Sequence, residues 1–136
     1  MFRWLWLRIQ LVPDREKCWR AVNKPDHIYK PGTPRAGKLK PSFFRDKKGL
    51  SFDLARFSTM ERSRIGHAEK PYPVGTGLVE FSAAHVREAG SDVHHKPLKQ
   101  PKRNYAHAQL AVVLNAAGEE HMSKVTRFVI EQRLSA

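Results

Sequence analysis

The sequence predicts an α+β domain: a small, mostly antiparallel sheet, a short central helix, and a C-terminal amphipathic helix packed on one face. Three observations carry that expectation. Short apolar runs of strand length, punctuated by Gly- and Pro-containing turns, recur from Cys18 to Leu114. A helix-start signature stands at Ser58-Thr59-Met60-Glu61. Apolar residues at helical spacing return near the end of the chain. A length of 136 residues suits one hydrophobic core, so residues 1–136 are read as a single domain.

In chain order, residues 1–11 (MFRWLWLRIQL) form an apolar arm or edge strand. Arg8 and Gln10 interrupt the run, which is too short for the roughly 20 residues of a membrane span. Cys18 to Val22 reads as a strand ending at the Asn23/Pro25 turn, and Ser42 to Arg45 and Gly49 to Leu54 as two more. Asp46 to Gly49 between them suits a hairpin turn. At the next helix, the Ser58 hydroxyl and Glu61 carboxylate each satisfy a free amide of the first turn, and the helix runs to Ile65 or Gly66. Val74 to Phe81 reads as a strand, after which Ser82 caps a helical turn that Gly90 stops. Tyr105 to Leu114 reads as the central strand, with Ala111 to Leu114 apolar enough to be buried on both faces. Ala117 to Leu134 completes the pattern as a helix whose inner face carries Met122, Val125, Phe128 and Val129.

The net charge of +12 points to a polyanionic partner, but its distribution is more informative than its total. Residues 1–50 hold 13 Lys or Arg against 4 acids, and residues 91–105 hold 4 against 1. The remaining two stretches, 51–90 and 106–136, are balanced at 5 against 5 and 3 against 3. The excess falls on two Pro- and Gly-punctuated basic loops, 24–48 and 94–104, set on a neutral frame. Nucleic acid, RNA ahead of DNA, is the expected partner, contacted by Lys30, Arg35, Lys38, Lys40, Lys96, Lys99, Lys102 and Arg103 on one face. Phe44 and Tyr105 flank these loops and are the expected stacking rings.

A single cysteine, Cys18, excludes an internal disulfide and any paired-cysteine zinc site, and fits a reducing, cytoplasmic setting. Seven histidines lack companion ligands at metal spacing, and no Gly-rich phosphate loop occurs, so neither a metal nor a cofactor is expected. An enzyme is the second class. Metal-independent RNA cleavage needs a general base, a general acid and a cation, and His67 beside Arg62 and Arg64, with His107 after Arg103, supply those types. Any catalytic site is expected to be lined by Arg20, Ser51, His67 and His107, on or beside regular elements. A third class is an interaction module that forms a homo-oligomer through the arm 1–11.

Two resemblances accompany this reading. The order Arg20 on an early strand, Phe44, then Leu50-Ser51-Phe52-Asp53 resembles ADP-ribosyltransferase-like domains, which implies an NAD-using transferase without assigning a catalytic Glu. From Arg20 to Val113 the chain also resembles small uncharacterised bacterial single-domain proteins. The shared elements are Arg20-Ala-Val22, Pro25, Gly32-Thr-Pro34, Ser42-Phe43-Phe44, Leu50 to Asp53 and Ala106-His107-Ala108. That likeness implies a bacterial origin and one compact domain, and lends no catalytic residue.

Overall fold

The computed structural model describes residues 12–22, 27–30, 32–35, 37–46, 50–66, 77–99 and 103–130. The arm 1–11, His67, Lys102 and the turn residues 47–49 lie outside the described residues. Six strands form one sheet: β1 (Lys17–Val22), β2 (Ser51–Leu54), β3 (Gly77–Ser82), β4 (Val93–His95), β5 (His107–Leu110) and β6 (Arg127–Ile130). Their order is β4-β5-β2-β1-β3-β6 and every neighbouring pair is antiparallel. Helix α1 (Met60–Gly66) covers one face; α2 (Ala83–Glu88) and α3 (Ala116–Val125) cover the other. The predicted α+β class with an antiparallel sheet is the observed one.

Alternation along the strands divides the sheet into a dry face and a polar one. Cys18, Val22, Phe52, Leu54, Val79, Phe81, Ala108 and Leu110 point to the dry face and join a single core with Phe44, Val86 and Met122. Rings interlock there edge to face, Phe43 on Phe44 at 4.9 Å, Phe44 on Phe81 at 6.2 Å and Phe81 on Phe52 at 5.1 Å. Gly118 lets α3 approach the end of α2, since a Cβ there would lie 2.5 Å from the Ala89 carbonyl oxygen. Ser82 caps α2 as expected, its hydroxyl accepting from the His85 amide while His85 Nδ1 accepts from the Ser82 amide. Gly90 follows in the left-handed region, at φ +94°.

Five expectations need correction. Ser42 to Arg45 is not a strand; Pro41–Phe44 is a 3-10 turn, which lets the adjacent Phe43 and Phe44 both enter the core, where an alternating strand would send one outward. The α1 cap is Thr59 in place of Ser58: Thr59 Oγ1 accepts from the Arg62 amide at 3.2 Å, while the Ser58 hydroxyl shares a hydrogen bond with Ser63. The second basic stretch is not all loop, because His94 and His95 extend β4 against Gln109 and Ala108. Strand β5 is correspondingly short. The Ser91 hydroxyl donates to the Val112 carbonyl and accepts from its amide, which ends the ladder and leaves Val112 and Val113 58% and 50% exposed. The last helix stops at Val125, because Thr126 turns extended (φ −80°, ψ 137°) and the β-branched and aromatic run to Ile130 pairs with β3.

Candidate functional site

The first basic stretch folds back on itself as a ribbon. Ile28 bridges to Leu39, the Tyr29 amide donates to the Lys38 carbonyl, and the Lys40 amide donates to the His27 carbonyl. Gly37 adopts φ +80° at the return, a conformation that side chains disfavour. The ribbon leans on α3, where the Ser123 hydroxyl donates to the Leu39 carbonyl at 2.6 Å and Arg35 pairs with Glu120 at 3.0 Å. Between the ribbon, the end of α3 and β6 lies a cavity of about 520 Å³. Tyr29 and Phe128 supply its rings, and Arg35, Lys38, Lys124 and Arg127 its cations.

Those four cations are not equivalent. Arg35 is engaged by Glu120 and by the Tyr29 hydroxyl, and Arg127 is engaged by Glu80. Lys38 and Lys124 are exposed and have no ion-pair partner among the described residues. The Thr126 hydroxyl oxygen, on a lining residue, is buried with no hydrogen-bond partner. Lys40 sits 5.9 Å from the Tyr29 ring centroid, and exposed Lys30 stands at the ribbon turn, its carbonyl accepting from Thr33. Of the residues expected from the first stretch, Arg35 and Lys38 line the cavity, Lys40 lies beside its Tyr29 ring, and Lys30 stands on the ribbon outside the lining. Phe44 does not: it is 1% exposed and packed in the core, so it offers no face to a base.

The second basic stretch is elsewhere. Lys96, Lys99 and Arg103 lie on the segment joining β4 to β5, at the edge of the sheet opposite β6. Five strand spacings of about 4.8 Å separate those edges by roughly 24 Å. The two stretches therefore sit at opposite edges of the sheet. The Lys96 ammonium reaches Gln109 at 3.5 Å. Tyr105 is exposed and packs against Phe57 and His95.

Of the residues expected to serve catalysis, Arg20, Ser51 and His107 are described, and their side chains do not converge. Ser51 and His107 lie on the polar face, and Arg20, next to Trp19 on β1, points to the opposite one. There Arg20 donates to the Ser51 carbonyl, stacks 5.5 Å from the Phe43 ring centre, and buries its Nε without a partner. Burial pulls its pKa below the ordinary value, with Asp46 opposing.

The polar face instead holds a row of side chains crossing five strands, Arg127, Glu80, Trp19, Asp53 and His107, each opposite the next. Asp53 accepts from the Ser63 hydroxyl at 2.7 Å and from Asn104 Nδ2 at 2.9 Å. His107 Nδ1 is 2.8 Å from the Lys96 carbonyl oxygen. Trp19 Nε1 donates to Glu80 at 3.0 Å, and Arg127 grips the same carboxylate. Buried from Glu80 to His107, closed by the exposed Arg127 at its end and hydrogen-bonded at each of these positions, the row ties α1 and the β4–β5 connection to the sheet.

Sequence reasoning missed Lys124, Thr126, Arg127, Phe128 and Tyr29 as cavity residues. The first four were read into a continuous helix, although the β-branched run after Lys124 was a signal for a strand. Comparison of the chain with protein-family models, with curated proteins and with solved structures finds no match. Among the described residues, no helix is long and apolar enough to cross a membrane.

Proposed function

We propose that the protein binds nucleic acid, RNA ahead of DNA, through the cavity between the 27–40 ribbon, α3 and β6. One observation carries the reading: a 520 Å³ recess joins four cations to two rings. Its volume lies in the range of sites that enclose a small organic unit such as a nucleotide. Lys38 and Lys124, without a carboxylate partner among the described residues, supply charge for phosphates, while Tyr29 and Phe128 line the same space for a base.

The test is fluorescence anisotropy with a labelled single-stranded RNA over a range of salt. Each phosphate neutralised contributes about 0.7 to the log–log salt slope of a single strand, so replacing Lys38 and Lys124 together by Ala should lower that slope by about 1.4. Affinity at low salt should fall as well. Absence of binding by the parent at low salt, or a double variant that binds like the parent, overturns the proposal.

A further inference from the structure

At the other edge of the sheet three rings stand outside the core. Tyr105 is 58% exposed, Phe57 is 36% exposed, and His95 is half-buried between them. Phe57 and His95 stack nearly parallel, at 5.3 Å and 11°. Tyr105 stands perpendicular to both, 4.7 Å from Phe57 and 5.1 Å from His95. The arrangement is fixed by more than ring contact, because His95 Nε2 lies 2.7 Å from the Tyr105 carbonyl oxygen and the Leu98–Asn104 bridge closes the connecting loop. The Arg56 guanidinium lies 4.8 Å from the Phe57 centroid and 3.9 Å from the Glu16 carboxylate.

Exposure of this much ring surface leaves apolar area in water at about 25 cal/mol per Å², and no core residue covers it. The surroundings are cationic: the segment 94–107 contains Lys96, Lys99, Lys102 and Arg103 and no acidic residue. A ligand suited to such a surface has flat π-faces and negative charge in the same molecule. A base stacks on the ring while its phosphate meets the Lys and Arg fringe, and no immobilisation of the rings is needed on binding. A duplex hides its base faces and cannot use the rings.

We propose that the Phe57–His95–Tyr105 cluster, with Arg56 beside Phe57 and with Lys96 and Arg103 on the connection that carries His95 and Tyr105, is a stacking platform for an unpaired base of a single-stranded nucleic acid. This rests on the nucleic-acid reading above and narrows it to single strands, with a contact the cavity does not provide. Tyr105, the most exposed ring, is the face on which the base lies.

The decisive experiment compares Tyr105→Ala and Tyr105→Phe with the parent on two probes, a labelled single-stranded oligouridine and a blunt RNA duplex. Tyr105→Ala should weaken single-strand binding roughly 5- to 150-fold, the range for loss of one base–ring stack. It should leave duplex binding and the salt slope unchanged, since no charge is removed. Tyr105→Phe keeps the ring and should bind the single strand within about 2-fold of the parent. Thermal melting of Tyr105→Phe should match the parent and that of Tyr105→Ala should fall by only a few degrees, because the ring is 58% exposed and only its edge contacts with Phe57 and His95 are lost. Single-strand binding unchanged in Tyr105→Ala overturns the platform while leaving the cavity reading intact. An equal loss on the duplex also overturns it, since stacking is then not what the ring supplies. A parent that binds neither probe at low salt removes both proposals together.

Discussion

Replacing Glu80 by Ala should cost far more stability than replacing it by Gln, and the difference follows from one buried hydrogen bond. The Glu80 side chain is 7% exposed and its carboxylate accepts from Trp19 at 3.0 Å and from Arg127 at 3.1 and 2.7 Å. Gln keeps an oxygen for the Trp19 N–H but presents its NH2 to Arg127, losing both hydrogen bonds and the charge attraction to an Arg127 side chain that is 70% exposed and can turn its donors to water, at about 0–1 kcal/mol. Ala leaves that N–H buried without an acceptor, at about 1–3 kcal/mol, and removes packed methylene at about 0.8 kcal/mol per group. The expected losses are therefore about 0–1 kcal/mol for Gln and about 2–4 kcal/mol for Ala. Urea unfolding followed by circular dichroism measures both, with the slope m unchanged if only stability moves. Losses within about 0.5 kcal/mol of one another would refute the reasoning, because the hydrogen bond would then carry no weight.

The same residue sets a pH dependence. Burial pushes the Glu80 carboxyl up, but the Trp19 and Arg127 hydrogen bonds together outweigh it and hold the group below its ordinary value. A depressed folded-state pKa gives stability that is complete above the unfolded carboxylate value, about 4.3, and that vanishes as pH falls through the folded one. The stability gap between the parent and Glu80→Gln should consequently shrink below about pH 4. A constant gap down to pH 2 would contradict this.

Three further outcomes follow from packing. Gly118→Ala should destabilise by about 1–3 kcal/mol, since its Cβ would sit 2.5 Å from the Ala89 carbonyl oxygen and 3.2 Å from Leu114; an unchanged melting temperature would show the contact to be slack. Asn115→Ala removes the side-chain oxygen that accepts from the Gly118 amide at 2.8 Å and should cost about 1 kcal/mol, whereas Asn115→Asp should restore most of it; equal losses in the two variants would rule out the cap. Burial, with Glu16 beside it, pushes the Cys18 thiol up, so a disulfide reagent at pH 8 should label it only after denaturant is added, and rapid labelling of the native protein would contradict its placement.

Local chemistry was legible wherever a single segment decided the outcome. Cys18 to Val22, Ser51 to Leu54, the Ser82 cap and the Gly90 stop all followed from patterns a few residues long. What failed depended on partners distant in the chain. Met122, Val125, Phe128 and Val129 are spaced for a helix face, yet Phe128 and Val129 take extended backbone because β3 offers an edge to pair with. Phe43 and Phe44 looked like a strand because paired aromatics favour one, and Pro41 together with the core beneath them selected a turn. Clustering of positive charge showed which segments to inspect, but the separation of the two basic stretches is a property of strand order. Likewise, nothing in the sequence joins Phe57 to His95 and Tyr105, which meet only because β4 and β5 are neighbours and the 3-10 turn after Leu54 brings Phe57 beside them.

The polar row across the sheet acts as a ruler for strand alignment. Side chains alternate with a period of two, so a slip of one residue in β1, β2 or β3 would turn Trp19, Asp53 or Glu80 into the layer occupied by Phe44, Phe81 and Met122. A carboxylate stranded there would lack Ser63, Asn104 or Arg127, and an unpaired buried charge is among the costliest errors a chain can make. A slip of two residues keeps the faces correct but offers Glu80 no indole and Asp53 no serine. The row therefore leaves one alignment in which every charge in it is answered, and three short antiparallel strands with few distinguishing residues acquire a unique pairing.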